Sequence, residues 1–215
     1  MARTTVNVYD MEDAHLQSGQ YSATNYGRSE SLMLGYASSY KYKILLRPLF
    51  PALPQDKKLI HISCKLYNPS STNPMNSNIA VLKILEKWEE YEATYTTRPK
   101  VSYQSKAFDT AGTFSQGWLE IPLDVFLDDL ESLRSYGVAL IDIDRTVDGK
   151  LDFPSSEAVG ENAPYFVLVY ADAPELPTQT YPTNGDVVGN TGAGTVRFTW
   201  DYHPSPVSLY AQKSY

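Results

Sequence analysis

The chain has 215 residues, of which 42% are hydrophobic and 20% are charged, a balance typical of a folded globular protein. Its formal net charge is −7 and no basic stripe is present, so we expect no nucleic-acid partner. No run approaches the length of about 18 apolar residues that a membrane-spanning helix needs, so we expect no membrane insertion.

Short runs with strand-like alternation follow one another along the chain and are separated by Gly, Pro, Asn and Ser. We predict strands at residues 4–8, 31–36, 42–47, 58–67, 79–85, 117–123, 136–143 and 165–170. Many short strands at such spacing, with turn residues between them, are typical of a β-sandwich. The sequence therefore predicts an all-β fold.

One short helix interrupts this pattern. Within residues 125–133, Phe126, Leu130 and Leu133 recur at helical spacing, and Asp124 is a suitable N-cap. We expect the apolar side of this helix to cover one open end of the sandwich. Binding of a partner protein to that side is the alternative.

Cys64 is the single cysteine of the chain, so no disulfide framework is predicted. Alternation places Cys64 on the same strand face as Ile62 and Leu66, which predicts a buried, inert thiol. The histidines are scattered without zinc-site spacing, and no phosphate-binding glycine motif occurs.

A proline-rich segment at residues 171–177 follows the last strong strand and predicts a domain boundary. We predict one β-sandwich domain over residues 1–172 and a partial second domain over residues 173–215. About 40 residues hold too few strands to close a sandwich alone. This second domain is therefore expected to be truncated or completed by another chain.

Residues 88–99 read W-E-E-Y-E-A-T-Y-T-T-R-P and form the most distinctive segment. We predict a loop and a short strand, pinned by aromatic side chains at the edge of the sandwich. Glu89, Glu90 and Glu92 beside Trp88 raise the alternative of glycoside hydrolysis, which needs two carboxyl groups at a defined separation. Charged loop residues beside a buried tryptophan explain the same pattern, and we predict no enzyme.

Seven further features occur in a fixed order around this segment. They are Asp13 with Asn25-Tyr26-Gly27, Leu32–Gly35, Leu45-Leu46-Arg47, Trp118–Leu123, Ser135–Leu140, Phe153–Glu157 and Pro164–Tyr170. Together with Trp88, Glu90, Thr94 and Pro99, this order resembles the DNRLRE-type domain, a jelly-roll-like β-sandwich. Pro48, Ala93, Tyr95 and Pro122 depart from the family pattern. Residues 174–215 resemble the opening strands of a fibronectin type III-like domain, through Pro177, Pro182, Gly185, Phe198 and Trp200.

The resemblance implies structural functions for five residues: Trp88, Glu90, Tyr95, Arg47 and Glu157. Trp88 and Tyr95 are expected to anchor the core. Arg47 lies in an apolar strand, and a buried guanidinium needs a carboxylate or several carbonyl groups as partners. Glu90 and Glu157 stand at motif positions and are the expected partners. We predict no catalytic residue and no metal ligand.

Asp142, Asp144 and Asp152 supply oxygen donors around one loop, and jelly-roll modules often carry a structural calcium ion. No D-x-D-x-D-G signature is present, and a solvated acidic loop is the favoured interpretation of these residues. We predict no cofactor, and a structural calcium ion remains the alternative.

This pair of domains resembles bacteriophage appendage proteins and extracellular bacterial proteins alike. Residues 1–6 carry no signal peptide, which favours a virion protein made in the host cytoplasm. We expect a non-enzymatic tail, neck or fibre component that assembles with other virion proteins and with copies of itself, and that attaches to a cell-surface glycan.

The alternative function is that of a carbohydrate-binding or adhesin module in a bacterial extracellular protein. Some members of the resembling family bind acidic polysaccharides. A net charge of −7 disfavours a polyanionic ligand and leaves a neutral glycan stacked on some of the 17 tyrosines.

Overall fold

A computed structural model describes residues 3–50, 57–70, 79–102, 106–108, 116–143, 149–160, 162–172, 178–181 and 199–201. The strands are β1 (Arg3–Val8), β2 (Met11–Gln17), β3 (Ser31–Ala37), β4 (Tyr40–Pro48), β5 (Lys57–Asn68), β6 (Ile79–Lys83), β7 (Lys106–Phe108), β8 (Gly117–Pro122), β9 (Val138–Asp142), β10 (Gly149–Pro154), β11 (Tyr165–Asp172), β12 (Thr178–Tyr181) and β13 (Thr199–Asp201). Helical turns occupy Gly19–Tyr21 and Asp124–Asp129, and one α-helix, α1, spans Leu130–Tyr136.

Strands β1 to β11 form two sheets. The smaller sheet has four strands in the order β1-β11-β5-β8. The larger sheet has seven strands in the order β10-β3-β4-β9-β6-β7, with β2 paired to β4. The all-β sandwich predicted from the sequence is therefore confirmed, with one short helix beside it.

The main hydrophobic core lies between these two sheets. The four-stranded sheet contributes alternate residues such as Leu66 and Phe166, and the seven-stranded sheet contributes residues such as Leu34 and Leu46. Cys64 is fully buried in this core, as its strand alternation predicts. Burial raises the pKa of its thiol well above the ordinary range.

A second hydrophobic cluster covers the outer face of the seven-stranded sheet. Leu45, Leu82 and Ile141 point away from the main core and pack with Trp88 and Ala93. We call residues 86–100, which supply this layer, the covering segment. The prediction of a loop and short strand at the sandwich edge is wrong in two respects. The segment consists of turns and irregular structure, flanked by a single bridge between Ile84 and Val101, and it lies on a sheet face.

The predicted helix over residues 125–133 is divided into two parts. Residues Asp124–Asp129 form a 3-10 helix, and α1 begins only at Leu130, where the Asp129 side chain accepts a hydrogen bond from the backbone N–H of Ser132. The Asp124 carboxylate instead accepts the backbone N–H of Ile62 at 2.8 Å, so it ties this helix to β5. Phe126 and Leu133 are buried, as the helical spacing predicts.

The chain divides into two compact units, Met1–Ala171 and Asp172–Tyr215. In the second unit, β12 and β13 pair as antiparallel strands. The domain boundary and the fibronectin-like fold remain predictions, since Pro177, Pro182, Gly185 and Phe198 lie outside the described residues. No helix in the described ranges has the length and apolar character needed to cross a membrane.

Candidate functional site

Trp88, the first residue of the predicted structural motif, is closed to solvent. Its side chain is 5% exposed and packs in the second cluster, and its Nε1 donates a hydrogen bond to the carbonyl of Tyr136 at 2.7 Å. A ring that is buried and already hydrogen-bonded has no face left for a ligand.

Arg47 forms an ion pair with Glu12, and its guanidinium lies 5.2 Å from the ring centroid of Trp88. Arg47 thus has a carboxylate partner, as predicted, but that partner is neither Glu90 nor Glu157. The register between β2 and β4 explains the difference, because it places Glu12 directly opposite Arg47 on the same sheet face.

Tyr95 is half-buried against the second cluster, and two cations approach its ring. Lys43 Nζ lies 5.3 Å and Arg98 Cζ 4.8 Å from the ring centroid. Glu90 and Glu157 lie together elsewhere, in a group with Asp13. The five predicted residues therefore form separate contacts around the covering segment rather than one ligand site, and their binding function stays a prediction.

The outer face of the four-stranded sheet carries a different set of aromatic residues. In β5, Leu66 points into the core, so Tyr67 points outward; in β11, Phe166 points inward and Tyr165 outward. Trp118 in β8 is 41% exposed, and Tyr9, directly after β1, is 56% exposed.

These four side chains form a continuous row of rings. The ring centroids of Tyr9 and Tyr165 are 5.1 Å apart, those of Tyr165 and Trp118 are 5.1 Å apart, and those of Trp118 and Tyr67 are 5.3 Å apart. The last two contacts are edge-to-face, an arrangement that aromatic pairs favour. We call Tyr9, Tyr67, Trp118 and Tyr165 the aromatic row.

Polar side chains border the aromatic row on the same sheet face. Glu120 accepts hydrogen bonds from Lys65 Nζ at 2.6 Å and from Ser63 Oγ at 2.7 Å. Burial raises the pKa of Glu120, but these hydrogen bonds outweigh it and hold the pKa below its usual value, so the carboxylate is charged. Next to it, His61 Nδ1 lies 2.9 Å from the carboxylate of Asp124.

A shallow depression adjoins the Tyr9 end of the row. Its lining includes Asn7, Tyr9, Leu49 and Phe50. Leu49 is half-exposed, whereas Phe50 is buried and contacts Phe166 of the core. The row and the depression together form an open surface with adjoining aromatic rings, apolar contacts and hydrogen-bonding groups.

The alternative calcium site at Asp142, Asp144 and Asp152 gains no support. The Asp152 carboxylate accepts hydrogen bonds from Lys150 Nζ at 3.0 and 3.1 Å, and Asp142 is buried in β9. Asp144 lies outside the described residues. Within the described ranges, the carboxylates that come together are those of Asp13, Glu90 and Glu157.

Sequence reasoning missed the aromatic row because its members lie far apart along the chain. The sequence signal that could have revealed it is the alternation of side chains along each strand. This alternation places Tyr67, Trp118 and Tyr165 on the face opposite the core.

Residues 4–170, well over half of the chain, match the sequence model of carbohydrate-binding module family 96. No curated protein matches the chain.

Proposed function

Because the chain belongs to carbohydrate-binding module family 96, we propose that residues 4–170 bind a carbohydrate on the outer face of the four-stranded sheet. The aromatic row is the observation that carries this proposal. The apolar faces of sugar rings pack well on aromatic side chains, and the amphipathic rings of Tyr and Trp suit exposed binding surfaces.

The architecture favours this face over the other one. The covering segment occupies the outer face of the seven-stranded sheet and buries Trp88 there. On the four-stranded sheet, Trp118 and Tyr9 remain exposed. The row runs across the strands of this sheet, from Tyr9 after β1 through β11 to β5 and β8.

The charges beside the row favour a neutral glycan. The ammonium of Lys65 is neutralised by Glu120 at 2.6 Å, and Asp124 adds a further carboxylate beside His61. An acidic polysaccharide would meet this acidic border and a chain of net charge −7. Sugar hydroxyl groups, by contrast, can donate to Glu120 and accept from Lys65.

A carbohydrate-binding module is non-catalytic by itself, which agrees with the function predicted for this part of the chain and says nothing of a larger protein. The family match supports the alternative function named from the sequence better than the main one. Assembly into a bacteriophage appendage stays a prediction, and glycan binding would give such an appendage a means of host attachment.

A glycan array followed by calorimetric titration tests the proposal. The array carries neutral and acidic oligosaccharides, and the strongest binder is titrated into the parent, Trp118→Ala and Tyr91→Ala. Tyr91 is an exposed tyrosine on the covering segment and serves as the matched control. We expect Trp118→Ala to weaken binding about tenfold or more, as for an aromatic hot spot, and Tyr91→Ala to bind like the parent.

Two results would count against this assignment. Equal affinity of Trp118→Ala and the parent would remove the binding site from the aromatic row. An array without any binder, together with a defined oligomer in light scattering, would favour assembly as the function.

A further inference from the structure

Three carboxylates from distant parts of the chain meet at one place beside β2. They belong to Asp13 in β2, Glu90 in the covering segment and Glu157 in the turn after β10. One oxygen atom from each lies within 4.8 Å of the other two. Like charges this close repel one another, so the group needs a compensating charge or a proton.

Asp13 is the member of the group whose carboxylate most needs a compensating charge or a proton. Its side chain is 1% exposed, and its Oδ2 accepts a hydrogen bond from the backbone N–H of Ser156 at 2.7 Å. Its Oδ1 is buried and has no hydrogen-bond partner among the described residues. A buried oxygen atom without a hydrogen bond destabilises the folded state, and buried polar atoms in folded proteins almost always have a partner.

The fold holds Glu90 firmly in this group. Glu90 is 8% exposed, and its Oε1 accepts the backbone N–H of Asp13 at 2.9 Å. Its backbone carbonyl accepts a hydrogen bond from Asn25 Nδ2 at 2.8 Å. Gly27 passes so close that a Cβ atom there would lie 2.2 Å from the same carbonyl oxygen. The sequence motif Asn25-Tyr26-Gly27 therefore fixes the position of Glu90.

Glu157 is placed by the turn that also reaches Asp13. Its backbone N–H donates to the Oγ of Ser155, a fully buried serine, at 3.1 Å. The next residue, Ser156, contributes its N–H to Asp13 and its Oγ to Glu157 Oε2 at 3.2 Å. Ser156 thus links the carboxylates of Asp13 and Glu157 within one turn.

Among the described residues, no ion pair neutralises the group. The Glu90 and Glu157 charges raise the pKa of Asp13 further above its ordinary value, after the larger effect of burial. Burial also raises the pKa of Glu90, and the charges of Glu157 and Glu12 act in the same direction. Arg47, on the adjoining strand, is paired with Glu12.

We propose that Asp13, Glu90 and Glu157 bind a calcium ion. The donors are oxygen atoms alone, which disfavours zinc, a metal that takes nitrogen and sulfur ligands in most structural sites. Calcium accepts six to eight oxygen ligands in flexible geometry, whereas magnesium keeps most of its waters and is seldom held by an all-protein cage. The buried carboxylate of Asp13, whose Oδ1 has no hydrogen-bond partner among the described residues, supplies one ligand.

The ion would join β2, the covering segment and the turn after β10. These three segments are distant in the sequence and meet only in the folded chain, so a shared ion stabilises the folded state. The site belongs to the seven-stranded sheet and is independent of the aromatic row, so its test stands apart from that of glycan binding.

Calorimetry and thermal unfolding of the full chain test the proposal. Protein dialysed against EDTA and then against metal-free buffer is titrated with calcium chloride, and in parallel with magnesium chloride. We expect one calcium ion to bind per chain and the melting temperature to rise with calcium concentration. Magnesium should produce a smaller shift.

Variants assign the effect to these residues. We expect Asp13→Asn and Glu157→Gln to weaken calcium binding about tenfold or more, since each removes one charged ligand. Glu89→Gln is the matched control, because Glu89 is an exposed acid directly beside Glu90. It should bind calcium as tightly as the parent.

Absence of both a binding heat and a melting shift in the parent at millimolar calcium would overturn the proposal. The carboxyl group of Asp13 would then be satisfied by a proton. Equal responses to calcium and magnesium, or an equal loss in Glu89→Gln, would also overturn it. Calorimetry on the parent keeps the test decisive even if Asp13→Asn fails to fold.

Discussion

The indole of Trp118 packs edge-on against the ring of Tyr165, with centroids 5.1 Å apart, although β5 separates their two strands within the sheet. The two side chains reach each other over the backbone of β5, beside Tyr67. Each ring thus restricts the rotamers of the other. A surface ordered before binding loses less conformational entropy when a ligand arrives.

A double-mutant cycle on Trp118 and Tyr165 tests this ordering. We expect Trp118→Ala and Tyr165→Ala each to weaken glycan binding, and the double variant to lose less than the sum of the two. A coupling of about 0.5–1.5 kcal/mol is expected for rings in contact. Calorimetry with the strongest binder from the array measures it, and simple additivity would contradict the prediction.

Arg47→Ala is expected to destabilise the fold by about 2–4 kcal/mol, because it leaves Glu12 unpaired in a largely buried position and removes the cation above Trp88. Urea denaturation measures the change. Arg134→Ala is the control, since its pair with Glu131 is exposed, and its effect should stay within about 0.5 kcal/mol. Equal melting temperatures for Arg47→Ala and the parent would contradict this prediction.

Trp88 should matter for stability and not for glycan binding. Trp88→Ala is expected to cost about 3–5 kcal/mol, because it opens a cavity in the second cluster. Trp88→Phe keeps most of the packing but loses the hydrogen bond to the Tyr136 carbonyl, so a cost of about 1–2 kcal/mol is expected. Trp88→Phe should bind the array glycan like the parent, and weakened binding by a folded Trp88→Phe would be evidence against the aromatic row.

Asp13 is expected to make the metal-free protein less stable as the pH rises. Burial raises its pKa from 3.8 to about 7, with further contributions from Glu157 and Glu90. Between these values the folded chain keeps a proton that the unfolded chain has lost. The free energy of unfolding contributed by this group therefore falls from about pH 4 to pH 7.

His15 acts in the opposite direction. Burial lowers its pKa from 6.5 to about 4, while the nearby charges of Asp152 and Lys150 oppose each other. Its contribution to stability is complete above pH 6.5 and is lost as the pH falls from 6.5 to 4, because the unfolded chain gains a proton first. Between pH 4 and 6.5, measured by urea denaturation in EDTA, we expect the stability of the parent to rise relative to that of His15→Gln. Parallel pH profiles of the two proteins would contradict the assignment.

Strands with regular alternation were predictable from the sequence, and β5 and β11 lie close to their predicted bounds. Strand β2 was missed because Glu12, Asp13 and His15 resemble loop residues. Their burial depends on distant partners: the N–H of Ser156 for Asp13 and the carbonyl of Ser31 for His15. Sequence patterns record which residues are polar but not which partners tertiary structure brings to them.

The candidate sites, too, were predictable in the direction of their side chains but not in their tertiary partners. The phase of β5 and β8 already turned Tyr67 and Trp118 away from the core, but only the sheet order shows that they meet Tyr165. The carboxylate partner of Arg47 was expected among motif residues, and the strand register gave it to Glu12 instead.

In the strands of the four-stranded sheet, neighbouring residues are under different constraints, because one side chain faces the core and the next faces outward. Inward positions such as Leu66 and Phe166 must fit a closed core, whereas Tyr67 and Tyr165 beside them contact other rings of the aromatic row on the outer face. The outward positions can therefore be randomised in a library of variants, because the inward residues beside them form the core that stabilises the fold. Natural divergence can use the same freedom, because changes on the outer face leave the core unaltered.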